Sequence, residues 1–231
     1  MKKAKNILKI SYGIDISSED FAASYGVFYS DMEREVTSIK KFKNTKRGFD
    51  KLLSFTKKHQ SKINPDGNIQ TWYVMEASGV YYENLAYHLN EKGLNVHVAL
   101  ANKVKSYIKT LDNKSKNDEL DSMAIAQYGL EKQLSKWIPP SSEMKELKEL
   151  SRELSALKDM RTAAKNQSHA KDKAHETNNS SIKRTTELIK YLNKQIKKVE
   201  KDILEAVKGN PEIKKFIEDV TILKGVGFQT V

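Results

Sequence analysis

The sequence predicts a mixed α/β domain followed by a long antiparallel helical hairpin, and three patterns carry that expectation. Apolar runs of strand composition come first as three in succession, then alternate with segments of helical spacing. After Pro139-Pro140 the pattern turns wholly helical, and Ile182, Ile189, Ile196 and Ile203 recur every seven residues. Finally, four carboxylates stand at element ends: Asp15 and Glu76 each close an apolar run, and Asp118 with Asp121 share one face of a helix.

The elements follow in order. Residues 5–16 read as a buried strand, with Ile7, Leu8, Ile10, Tyr12, Ile14 and Ile16 around Gly13. Phe21 to Tyr29 and Glu35 to Phe42 continue in β style, so the first three strands predict an antiparallel meander. Thr45 is placed as an N-cap before Phe49, Leu52, Leu53 and Phe55 at helical spacing. Asn64-Pro65-Asp66-Gly67 marks a turn, and Ile69 to Met75 forms a fourth strand closed by Glu76. Gly79 to Glu91 predicts a helix ended by Gly93 at C′, and Asn95 to Leu100 a fifth strand. A last helix carries Leu120, Met123, Ala124 and Ala126. The order βββαβαβα resembles that of the ribonuclease-H-like, or RuvC-like, nucleases.

Beyond the prolines, Leu147, Leu150, Leu154, Leu157 and Ala164 follow three-four spacing, while Leu192, Val199 and Ala206 join the isoleucine seam of the second run. Lys165 to Ser181 is polar and reads as the hairpin tip. Two helices of about 25 residues would each extend about 38 Å. A seam of this kind fits a hairpin within the chain and an intermolecular coiled coil equally well. The expected division is residues 1–138, 141–208 and 209–231. In the last part, Gly225 and Gly227 could form the turn of a helix-hairpin-helix, but no second helix follows them.

Composition narrows the class. Hydrophobic residues make up 38% and charged residues 31% of the 231, as expected of a folded chain. The absence of cysteine excludes disulfides and thiolate zinc sites. No run approaches the roughly 20 apolar residues of a membrane span, and the start lacks the features of a signal peptide, so a cytoplasmic location without membrane contact is expected. Lys and Arg total 41 against 30 acids, a net charge of +11 that favours a polyanionic partner. Lys103, Lys105, Lys109, Lys114 and Lys116 cluster around Tyr107 just before the acidic pair and are expected to bind nucleic acid.

The acids suit one chemistry. Two divalent ions roughly 3.5–4 Å apart clamp the attacking and leaving oxygens of a phosphoryl displacement. Mg²⁺ takes hard oxygen ligands, which carboxylates supply. Each acid also has an ordinary reading: Asp15 as a turn residue, Glu76 as a partner of the following helix dipole, Asp118 and Asp121 as an acidic first turn. Glu119 is expected to point away and stay solvated. The five histidines show no ligand spacing, and Ser17, Ser18 and Ser78 read as turn and cap residues.

Three segments together resemble the motifs of the DEDD insertion-sequence transposases, the one-ten group akin to the Piv-type DNA invertases. They are Gly13-Ile14-Asp15-Ile16-Ser17, Glu76-Ala-Ser-Gly-Val-Tyr81 and Lys116-Asn-Asp118-Glu-Leu-Asp121-Ser. The resemblance covers essentially the whole chain. It implies a RuvC-like domain, a coiled coil and the start of a C-terminal transposase domain. It also implies a metal-binding and catalytic tetrad of Asp15, Glu76, Asp118 and Asp121 holding two Mg²⁺ or Mn²⁺ ions. DNA, a structured guide RNA and a homo-oligomer, dimer or tetramer, are the implied partners. Asn117 and Ser122 depart from the Thr and Ala usual in the third motif, and neither removes a ligand. The serine of the family's C-terminal domain has no counterpart here, so the chain resembles a shortened transposase and full recombination by it alone is not expected. Two other readings stand beside this one: a stand-alone structure-selective endonuclease of RuvC-like type, and a non-catalytic nucleic-acid-binding remnant. A DEDD exonuclease would need an acid where Ser17 stands.

Overall fold

The computed structural model describes residues 5–77, 79–111, 117–175 and 178–208, and the chain divides after Pro139 into two compact units. The first unit is built on five strands: β1 (Ile7–Ile16), β2 (Asp20–Tyr29), β3 (Arg34–Lys43), β4 (Gln70–Glu76) and β5 (Val96–Ala99). Their spatial order is β3-β2-β1-β4-β5. The first three strands pair antiparallel, as a meander must, while β4 and β5 run parallel to β1. This is the mixed ribonuclease-H-like sheet expected from the sequence, with β1 at its centre.

Alternation along β1 sorts its side chains between the two faces. Ile10, Tyr12, Ile14 and Ile16 face one layer, where they pack with Phe49 and Leu52 of α1 (Lys46–Ile63) and Leu85, Ala86 and Leu89 of α2 (Glu83–Glu91). Thr45 caps α1 through its side chain, which accepts from the Gly48 N–H. Gly93 follows α2 with φ of 74°, the left-handed conformation for which glycine was expected there. The helix itself is shorter than predicted, because Gly79 to Tyr82 form turns rather than its first turn.

The other face carries α3 (Ala101–Ile108) and α4 (Asp118–Glu131), which with Trp72, Val74 and Ala99 form a second core around Val104, Tyr107, Ile125 and Tyr128. The sequence pattern did not predict α3, whose lysines masked the Val104 and Tyr107 spacing. Glycine lets α4 approach this face. A Cβ on Gly13 would overlap the Ala126 nitrogen and the Ser122 carbonyl, and one on Gly129 would overlap the Ser11 hydroxyl. Ser24 and Ser122 close the contact with a hydrogen bond of 2.6 Å between their hydroxyls.

The second unit pairs α5 (Ser142–Lys173) with α6 (Asn179–Lys208) through Leu154, Ile196 and Val199, flanked by Leu150, Leu157 and Ile203. The hairpin tip predicted at 165–181 is a correction: α5 runs on to Lys173. Its last turns are held by polar contacts, Lys171 Nζ donating to Thr185 Oγ1 at 2.7 Å, so no apolar seam was there to be read. Among the described residues, no helix is long and apolar enough to cross a membrane. Ser78, Lys114, Lys116 and the expected helix-hairpin-helix at 209–231 lie outside the described residues.

Candidate active site

Strand register brings the first two acids together. β1 and β4 pair in parallel up to Ile14 beside Met75, and the next step sets Asp15 beside Glu76. Adjacent strands lie about 4.8 Å apart, so the two carboxylates rise from neighbouring positions of one face. That face is the one under α4. Asp15 is two residues beyond Gly13, and Glu76 two beyond Val74, whose side chain would meet a Cβ on Gly129. Both acids are half-buried.

The same row continues across the sheet. Glu76 pairs with Ala99 on one side, Asp15 with Ala22 on the other, and Ala22 with Lys41. The two alanines leave room above the acids, and Lys41 ends the row. Lys41 reaches this face because of a β-bulge between Ala23 and Ser24, where β3 uses two steps for one of β2. The bulge puts Lys40 on the opposite face, its ammonium 5.2 Å from the Phe42 ring centroid.

The other two acids come from α4. Its Ser122 and Ala126 lie over Gly13 and its Gly129 over Ser11, so its first turn lies toward the Asp15 end of β1. Asp118, Glu119 and Asp121 occupy that first turn, where the helix dipole favours negative charge. Asn117 caps it, its side chain accepting from the Glu119 N–H at 2.8 Å. Glu119 is exposed, as expected, whereas Asp121 is half-buried.

A cation meets this acidic first turn. Lys41 Nζ donates to Asp118 Oδ2 at 2.6 Å, with both side chains more than half exposed. That hydrogen bond, with the charges of Asp118, Asp20 and Asp15, raises the Lys41 ammonium above its ordinary value. Sequence reasoning missed Lys41, since strict alternation over Ser38 would have aimed Lys40 at this face instead. Of the lysine cluster, Lys103 and Lys105 on α3 and Lys109 at its C-cap are exposed.

The donor set fits Mg²⁺ or Mn²⁺ in kind, being carboxylate oxygens with two of them on one rigid sheet row. Among the described residues, no three acids or histidines already stand together as a metal cage. Asp118 lies instead on the Lys41 ammonium.

Residues 12–171 match the model of the DEDD_Tnp_IS110 transposases. The pilin gene-inverting proteins of Moraxella bovis and Moraxella lacunata are each 24% identical over 225 residues, 96% of this chain. The chain spans 64% of the length of those curated relatives. Among solved structures, Thermus thermophilus RuvC overlaps 55% of this chain and 99% of its own at 11% identity, with a TM-score of 0.37. An Aquifex aeolicus member of the Ppx/GppA family overlaps 43% of this chain and 37% of its own, at 12% identity and a TM-score of 0.30. Overlaps of that size leave the function to be argued from the family and from the residues themselves. The family match takes in β1 from Tyr12, the whole acidic row, α4 and most of α5; this chain belongs to the DEDD_Tnp_IS110 transposase family.

Proposed function

We propose that the chain supplies the metal-dependent DNA-processing site of a recombinase acting on insertion-sequence DNA. The observation that supports this reading is the parallel register of β1 and β4, which runs to Ile14 beside Met75, one residue short of Asp15 and Glu76, on the sheet that α4 covers. Asp15 and Glu76 would hold Mg²⁺ or Mn²⁺, two ions in all, with Asp118 and Asp121 as the helix-borne ligands. When bound, the ions neutralise a phosphodiester and activate the oxygen that attacks it. The protein's own contribution is positional. The sheet fixes two carboxylates, the α4 dipole stabilises two more, and Lys41 at the end of the row meets the phosphate as a point charge. Exposed Lys103 and Lys105 on α3 and Lys109 at its C-cap draw the polyanion toward this unit, with Lys114 and Lys116 continuing the cluster in sequence.

The family, the relatives named for gene inversion and the excess of basic residues support DNA as the substrate. A structured guide RNA is the second polyanion in this reading. The α5–α6 hairpin is the coiled-coil element through which dimers or tetramers form, and the protein works in the cytoplasm beside its DNA.

Titration of Mn²⁺ into the chain by calorimetry tests the site. Saturable binding in the wild type that is lost in Asp15→Asn and Glu76→Gln is the expected result. Equal heats in all three would remove the metal-site assignment.

A further inference from the structure

The outer face of α6 carries a stripe of six lysines that the candidate active site does not use. At 100° per residue, Lys183, Lys190, Lys194, Lys197, Lys201 and Lys208 fall within a sector about 60° wide. All six are exposed. The sector lies roughly 150° round the helix from the seam of Ile196 and Val199 that packs on α5, so it faces away from the hairpin core. From Lys183 to Lys208 it extends about 38 Å, about seven turns of the helix.

An ordinary solvated helix face would interleave acids at i+3 or i+4. Here the acids are marginal. Two exposed acids, Glu187 and Glu205, flank one edge of the stripe at i+4 from Lys183 and Lys201; Glu205 pairs with Lys201 at 3.4 Å, and Glu200 turns to Lys158 of α5 at 3.4 Å. Among the described residues, no acid pairs with Lys190, Lys194 or Lys197. Their side chains, with Asn193, Lys198 and Lys201, instead border an open groove on α6 alone. Concentrating unneutralised cations on one line raises mutual repulsion, which an aligned row of anions relieves.

We infer that this stripe is a docking surface for the sugar-phosphate backbone of duplex DNA. Ammonium groups are point charges that bind phosphate without reading bases, so the contact is independent of sequence. Single strands are bound through aromatic platforms, and no aromatic residue lies in the sector. The stripe therefore grips the duplex through its backbone, and the assignment does not depend on the four carboxylates.

The test compares the full chain with a variant combining Lys190→Gln, Lys194→Gln, Lys197→Gln and Lys201→Gln, and with the matching four-Arg variant. Binding to a labelled duplex of about 30 base pairs is followed by anisotropy over a salt series, where each phosphate contact adds about 0.9 to the slope of log affinity against log salt. The Gln variant is expected to lower the slope by about 3.6, and the Arg variant to retain it. An unchanged slope in a Gln variant of native helicity overturns the proposal. Where that variant loses helicity, Lys194→Gln and Lys197→Gln singly are each expected to lower the slope by about 0.9, and no change in either overturns it. Loss confined to duplex RNA overturns the assignment to DNA.

Discussion

The Lys41 ammonium stands 2.6 Å from the Asp118 carboxylate, joining edge strand β3 to the first turn of α4. Two elements far apart in sequence thus meet at the rim of the acidic row, and the contact depends on the bulge that turns Lys41 onto this face. Within the proposed function, the ammonium and a divalent cation seek the same carboxylate.

Lys41→Ala is therefore expected to tighten metal binding while weakening DNA binding. Half-saturation by Mn²⁺ should fall by about two- to fivefold, the range an exposed ion pair supports. Affinity for duplex DNA should fall in the same variant. A metal titration and an anisotropy titration on one protein sample read both effects, and parallel loss of both would assign Lys41 to structure alone.

Gly13→Ala is expected to be among the most damaging single-methyl changes. The added Cβ meets backbone of α4 at Ala126 and Ser122, which no rotamer change relieves. The loss should be about 2–3 kcal/mol or more in chemical denaturation, the upper range for overpacking. Since α4 carries Asp118 and Asp121, any Gly13→Ala protein that folds should also lose metal affinity.

The pH dependence of stability should report His59. Burial, with a smaller effect from the Lys62 charge, lowers its pKa below the ordinary 6.5, and its Nδ1 lies 3.0 Å from the Tyr12 hydroxyl. The unfolded chain thus takes up the proton first. Stability is full above the unfolded value and declines as pH falls through it toward the folded one. Melting temperature should drop between pH 7 and pH 5.5, by less in His59→Gln; identical slopes would exclude His59 as the cause.

Truncating the hairpin seam should unfold the second unit selectively. Ile196 is buried between α5 and α6, so Ile196→Ala is expected to cost about 2–5 kcal/mol. Helical signal in circular dichroism should melt earlier, with mean-residue sheet signal retained. Coincident loss of both would show one cooperative transition.

Much of this architecture was legible because it rests on periodicity. The β1 alternation of Ile10, Tyr12 and Ile14 and the Thr45 and Gly93 caps gave the sheet and its first helices their places. The acids at strand ends were readable for the same reason. What escaped depends on contacts that no local pattern encodes. The bulge at Ala23/Ser24 resets which lysine faces the acids, and the polar clasp of Lys171 on Thr185 extends α5 past its apolar seam. In α3, Val104 and Tyr107 bury only because α4 covers them, while the surrounding lysines carry a surface signal.

Diffraction from crystals soaked in Mn²⁺, collected at an energy where manganese scatters anomalously, tests the central claim most directly. The account predicts anomalous peaks contacted by Asp15 and Glu76 and also by at least one of Asp118 and Asp121, with metal–oxygen distances of about 2.0–2.2 Å. A peak held by the strand acids with the α4 carboxylates turned away, or no peak beside Asp15 at saturating Mn²⁺, would contradict it.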